Sequence, residues 1–178
     1  MIGRTTTRIV VGIDGSAGSQ AALRWALNEA RALDARLDAV HVWHYPWVVA
    51  ASGAAAAGVG QEEFEAEGRR VLEQAIGELG AEADDVEVHR QLGTGNAVDV
   101  LLRAADGADL LVVGSRGRGG FAGLLLGSVS QQCAQHAPCP VVIVPPKRAT
   151  PLLRERDSAP QRGASFADGT ITVGQSAL

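Results

Sequence analysis

A glycine-rich run, Gly114-Ser115-Arg116-Gly117-Arg118-Gly119-Gly120, leads through Phe121 and Leu126 into Gly127-Ser128-Val129-Ser130. These residue types suit the binding of an anion. Glycines let backbone amides approach a phosphate with no side chain between. A helix opening near Ser128 adds unpaired N–H groups and the positive end of its dipole. The hydroxyls of Ser128 and Ser130 can donate hydrogen bonds, and Ser128 can alternatively cap the helix. Arg116 and Arg118 place positive charge here, in a chain body that is otherwise acidic. The plainer reading of the same residues is a glycine-rich turn with Ser128 as its N-cap.

Several other chemistries are missing. No Gly-Lys-Ser/Thr occurs, so there is no Walker A loop, and no G-x-G-x-x-G follows the first strand. His41, His44, His89 and His136 lack the neighbours that would make a triad, a metal cluster or a paired acid and base, so no catalytic residue is assigned. The acids Glu62, Glu63, Glu65 and Glu67 stand at a helix start, where they complement the dipole. Cys133 and Cys139 are too few for a disulfide framework and wrongly spaced for a C-x-x-C pair; they read as small buried hydrophobes in a reducing compartment.

Charge and length narrow the class further. Residues 1–146 carry eleven Lys/Arg against seventeen Asp/Glu, and residues 147–178 carry five against three. An acidic body argues against broad binding to nucleic acid. No apolar run approaches the roughly 20 residues that span a bilayer, and no signal-peptide stretch opens the chain. A cytoplasmic protein with no membrane partner is expected.

The elements that must position the loop follow from periodicity. Arg8 to Ile13 is a short apolar run, suited to a strand buried on both faces. Asp14-Gly15-Ser16 makes a turn, with Ser16 or Ser19 as helix cap, and Leu23, Ala26, Leu27, Ala30 and Leu33 recur at helical spacing. Leu37 to Trp43 is a second strand. Residues 46–60 are broken by glycine and read as a mobile connection, either a spacer or a lid. A second helix carries Phe64, Val71, Leu72, Ala75, Ile76 and Leu79, followed by a third strand from Val86 to Leu92. Val98, Leu101, Leu102 and Ala105 mark a third helix, Asp109 to Val113 a fourth strand, and Ser128 to about Gln135 a fourth helix. Val141 to Val144 closes the set before Pro145-Pro146.

Strands alternating with helices predict an α/β fold: a five-stranded parallel sheet with helices on both faces, Rossmann-like. Ligands of such sheets bind beyond the carboxyl ends of the strands. The loops Gly12–Ser16 and Gly114–Ser128 both lie there. The expected organisation is one domain over 1–146 and a flexible tail over 147–178, with Thr170 to Val173 as a weak strand signal.

The spacing of the loop resembles that of the nucleotide-binding universal stress proteins, marked by G-x2-G-x9-G-[S/T]. Gly114, Gly117, Gly127 and Ser128 fit it position for position. From composition alone, roughly 0.03 such matches would be expected in a chain of this length. The opening strand with Asp14-Gly15-Ser16, the His41-Val42 pair and the closing Cys139-Pro140-Val141 to Val144 segment are also similar to the family. The resemblance covers about residues 7–146, while the stretch 50–60 and the tail depart from it.

The resemblance implies an adenine nucleotide alpha hydrolase-like fold that binds ATP, with AMP or cyclic AMP as alternatives. Gly12, Ile13 and Asp14 would border the adenosine, and Val42 would touch adenine. Gly114, Arg116, Gly117, Gly127, Ser128, Val129 and Ser130 would surround ribose and phosphates. Asp14 would contact ligand or Mg²⁺, although an Asp before Gly-Ser is a good turn residue in its own right. Phosphoryl transfer needs a group that orients the nucleophile, and none is evident. A stress-response binding module without efficient turnover is therefore expected; the alternative is a slow ATPase or another adenine-nucleotide-handling enzyme. A homodimer joined through the strand Val141–Val144 is expected from its apolar, edge-like character and from the resemblance.

Overall fold

The computed structural model describes residues 7–44, 61–119 and 125–146. The expected spacer or lid at 46–60, and the tail with Thr170 to Val173, lie outside them. The chain divides into two compact units, Met1–Arg148 and Ala149–Leu178. All the described residues belong to the first.

Among them, ten elements run in order: β1 (Arg8–Ile13), α1 (Ala17–Leu33), β2 (Arg36–Trp43), α2 (Gln61–Gly77), a 3-10 turn (Gly80–Ala83), β3 (Val88–Thr94), α3 (Ala97–Ala104), β4 (Leu110–Gly114), α4 (Ser128–His136) and β5 (Val141–Val144). The five strands form one sheet in the order β3-β2-β1-β4-β5. All four pairings are parallel. The fold is the expected one, with β3 and β4 displaced by one or two residues toward their carboxyl ends. At β3 the displacement follows the pairing, which matches Leu37 with Val88 and Trp43 with Thr94. The polar residues His89, Arg90 and Gln91, already within the expected strand, are tolerated because it lies at a sheet edge, where His89 and Arg90 are exposed.

Alternation along the central strands builds two cores. Ile9, Val11, Ile13, Leu37 and Ala39 point to one face, where Leu23 and Leu27 of α1 and Leu72 and Ile76 of α2 cover them. Val10, Val40, Leu111 and Val113 point to the other, under Leu101 of α3 and Cys133 of α4. Both cysteines are free, and burial pushes the Cys133 thiol up to about 11. It packs as an inert apolar group.

The order of the strands matters most at one place. From β1 the chain winds outward through β2 and β3, then returns to lay β4 on the other side of β1. The loops leaving β1 and β4 therefore diverge to opposite faces and open a crevice between them.

Candidate functional site

The crevice is a cavity of about 460 Å³, within the range of small-molecule sites. Gly12, Ile13, Asp14, Val42, Gly114, Arg116, Gly117, Gly127, Ser128, Val129 and Ser130 all line it. The chain thus brings the residues singled out in its sequence to one place. The two ends of the cavity differ in chemistry. Val40 and Val42 of β2, Ala97 and Leu101 of α3, and Val113 of β4 make an apolar end. The loop residues Arg116 to Gly119 and the start of α4, Gly127 to Ser130, make a polar one.

Asp14 holds the two loops together. Its Oδ1 accepts from the Ser16 N–H at 2.9 Å, and its Oδ2 accepts from the Arg118 N–H at 3.1 Å. Burial disfavours the charged carboxyl, but the hydrogen bonds from Ser16, Ser19 and Arg118 outweigh it and hold Asp14 below the usual carboxylate range. Asp14 is therefore a turn residue and a clamp on the Arg116–Gly119 loop. Lone pairs remain on both oxygens for a further partner.

The glycines of the motif serve different ends. A Cβ on Gly114 would lie 2.7 Å from the backbone of Gly18, because the end of β4 packs directly on the first turn of α1. A Cβ on Gly117 would strike the Asp14 carboxylate. Both glycines are demanded by the packing of the chain itself. Gly127 is not: among the described residues its Cβ would find nothing nearer than 3.5 Å, and its backbone (φ −81°, ψ 166°) is open to any residue.

Gly127, rather than Ser128, is the N-cap of α4, and it supplies no side-chain hydrogen bond. Other helices of the domain are finished differently. Ser16 caps α1 by accepting from the Ser19 N–H, and Asn96 caps α3 by accepting from Val98 and Asp99. At α4 the Ser130 hydroxyl is drawn inward onto the carbonyls of Ser115 (3.0 Å) and Gly127 (2.9 Å). No acceptor among the described residues takes the N–H groups of Ser128, Val129 and Ser130. A helix of nine residues thus opens uncapped onto the polar end of the cavity.

The arginines repeat the pattern. Arg8, Arg24, Arg31, Arg36, Arg69, Arg70 and Arg90 each pair with a carboxylate. Among the described residues, Arg103, Arg116 and Arg118 do not, and the last two line the cavity. Among the described residues, Asp14 is the lone acid of the lining.

Eight of the described lining residues were not among the site residues read from sequence: Ser19, Val40, Ala97, Leu101, Val113, Arg118, Gly119 and Leu126. Ser19 was read as a candidate helix cap and Leu101 as part of an apolar helical face, and the access of both to the crevice depends on the strand order. Arg118 was visible as a charge, but no spacing rule placed it at the rim. His41 lies on the opposite face of the sheet from Val42, where its Nδ1–H donates to the carbonyl of Ile13 at 2.8 Å. It fixes the end of β1 and does not line the cavity.

An open parallel sheet with an uncapped helix at its switch point defines an α/β protein with a crevice at the carboxyl ends of its strands. The chain belongs to the universal stress protein family, whose model matches residues 5–145. It is 40% identical over 139 residues to a universal stress protein of Mycolicibacterium smegmatis, covering 78% of this chain and 46% of that one. It is 32% identical over 135 residues to one of Mycobacterium tuberculosis, covering 76% and 44%. The chain thus spans about half the length of the curated relatives it matches. Among solved structures it is similar to a universal stress protein in complex with cAMP, with 29% identity and a TM-score of 0.56 over 79% of this chain and 98% of that one.

Proposed function

We propose that the chain is a stress-response module that binds an adenine nucleotide, ATP foremost, through the loop Gly114-x2-Gly117-x9-Gly127-Ser128, and that acts through occupancy rather than turnover. The observation that carries this reading is the uncapped N-terminus of α4, opening with two unpaired arginines onto a cavity whose other end is apolar. The apolar end suits a base and the polar end suits phosphates. The solved relative named for its complex with cAMP supports an adenine ligand. Gly12, Ile13 and Val42 would border the adenosine, and Gly117 and Gly127 to Ser130 the phosphates. Mg²⁺ fits the same site as a phosphate-bound ion with Asp14 as its protein carboxylate, since Mg²⁺ is ordinarily held by one or two carboxylates plus phosphate oxygens. No group of three or more His, Cys, Asp or Glu among the described residues would hold a metal by itself.

The test is mass spectrometry of nucleotide released from the purified, denatured protein, beside Gly127→Val. The wild type should release adenine nucleotide and the variant little, compared per folded molecule because Val is a poorer N-cap than Gly. Equal nucleotide content in the two would refute the loop assignment. Phosphate release above about 1 s⁻¹ would return the chain to the enzymes.

A homodimer through β5 accompanies this reading. β5 lies at a sheet edge, and its four apolar residues are all half-exposed. Sedimentation as a monomer at micromolar concentration would dismiss it. No helix among the described residues is long and apolar enough to cross a membrane, and a cytoplasmic location is proposed, to be checked by cell fractionation.

A further inference from the structure

Arg118 stands between two hollows. It lines the cavity at the sheet's switch point and also a groove between α1 and α2, walled by Gln20, Trp25 and Val71. Its backbone is held by Asp14 through the N–H bond of 3.1 Å. Its guanidinium lies over Gly15, where a Cβ would come within 2.5 Å of Nη2 and 3.2 Å of Val71. Gly15 has φ +77°, a backbone that favours glycine, so the turn beneath the guanidinium carries no side chain. The side chain is exposed and, among the described residues, has no carboxylate partner. A backbone fixed at the cavity rim thus carries an exposed charged head that no carboxylate among the described residues holds.

The ligand's charge gives that head a use. Three N–H groups at the start of α4 can serve one phosphate. A polyphosphate brings further negative charge toward the rim, where Asp14 would repel it. The cations within reach are Arg116 and Arg118. Arg116 is committed at its backbone, because its carbonyl packs where a Cβ of Gly18 would come within 2.6 Å. Arg118 is the one that also lines the α1–α2 groove, with its guanidinium over Gly15.

Resting on the adenine-nucleotide reading above, we infer that Arg118 is the residue by which this site distinguishes a polyphosphate from a monophosphate, its guanidinium leaving the α1–α2 groove to close on the outer phosphates. It neutralises the charge that Asp14 would otherwise oppose, and a planar fork suits phosphate oxygens better than a point charge does. AMP, ending at the start of α4, does not reach it.

The experiment is calorimetric titration of the full chain, stripped of nucleotide, with ATP and AMP in the presence of a chelator. The proteins compared are the wild type, Arg118→Ala, Arg118→Lys and Arg103→Ala. Arg103 is the unpaired arginine of α3 and lies outside both hollows. The wild type should prefer ATP, and Arg118→Ala should weaken ATP about tenfold while leaving AMP within about twofold. Arg118→Lys should fall between, and Arg103→Ala should match the wild type. The salt dependence of ATP binding should flatten in Arg118→Ala. Equal losses for both nucleotides, no loss for either, or a wild type without preference would overturn the inference and leave the nucleotide reading standing. A wild type that binds neither nucleotide would overturn both.

Discussion

The two ends of the sheet treat charge in opposite ways. At the amino end the chain sets its charges against one another, although among the described residues the buried Arg36 Nε and Asp38 Oδ1 make no hydrogen bond. Asp38 is fully buried, with the Arg8 Nη1 at 3.0 Å and the Arg36 Nε at 3.1 Å. Arg8 also donates to the carbonyls of Ala104 and Asp106, and its backbone N–H donates to the Asp109 carboxylate at 2.8 Å. These contacts tie β1, β2 and the end of α3 together. At the carboxyl end the same strands lead to an uncapped helix and two arginines without carboxylate partners among the described residues. One end consumes its polar groups to fix the fold; the other holds them for something outside the chain.

The largest expected effect tests the closed end. Asp38→Ala leaves Arg8 and Arg36 facing a hollow where a carboxylate stood. Removing one member of a buried pair costs several kcal/mol, and the partial exposure of Arg8 places this case near the lower limit. A loss of about 3 kcal/mol in urea unfolding is expected, with nucleotide bound per folded molecule unchanged. A loss below about 1 kcal/mol would mean that the network merely decorates the sheet, and the contrast between the ends would lapse.

The same contrast explains what could be read from the sequence. The strands β1, β4 and β5 are continuous apolar runs, and such runs announce buried parallel strands whatever their order. The loop was legible because three glycines and a serine at fixed intervals are rare. What stayed hidden depended on neighbours distant in sequence. Asp38 looks like an ordinary polar residue in β2, and its burial follows only from the register that sets Val10 beside it and His89 opposite. Gly114 and Gly127 look alike on paper, yet one is fixed by the approach of Gly18 and the other by nothing among the described residues. Ser128 carries the side chain of a cap, but the helix begins one residue too early for it to serve.

Asp14 stands on the boundary between the two regimes, at the open end but engaged by the chain. Asp14→Asn keeps the shape and loses the charge, and one of its polar atoms must then face an N–H group instead of accepting from it. A cost of about 1–2 kcal/mol at neutral pH is expected. The sign with pH follows from its lowered titration. Since the folded carboxyl ionises below its ordinary 3.8, the stability it contributes is fully present above that value and is lost as pH falls through the folded one. The difference in unfolding free energy between wild type and variant should stay level from pH 7 to about 5 and narrow below about 4. A difference independent of pH would show that the Asp14 charge contributes nothing to the clamp.

The smallest effect on stability is the most pointed test of the open end. Gly127 has the backbone of an N-cap and room for a side chain, yet lacks the oxygen that Ser16 and Asn96 supply elsewhere. Gly127→Asp would provide a cap and a negative charge at the positive end of α4. If the fold alone had shaped this helix, the substitution would be an improvement without penalty, and a gain of about 0.5 kcal/mol in unfolding free energy is expected. The new carboxylate would occupy the N–H groups proposed for phosphate and repel a second anion. Adenine-nucleotide affinity should therefore fall by at least about tenfold, the 1.4 kcal/mol that one displaced charged hydrogen bond represents. A variant that is more stable and binds less would show that the missing cap is kept for a ligand. A variant more stable with affinity intact would mean that the α4 terminus faces the cavity without serving it.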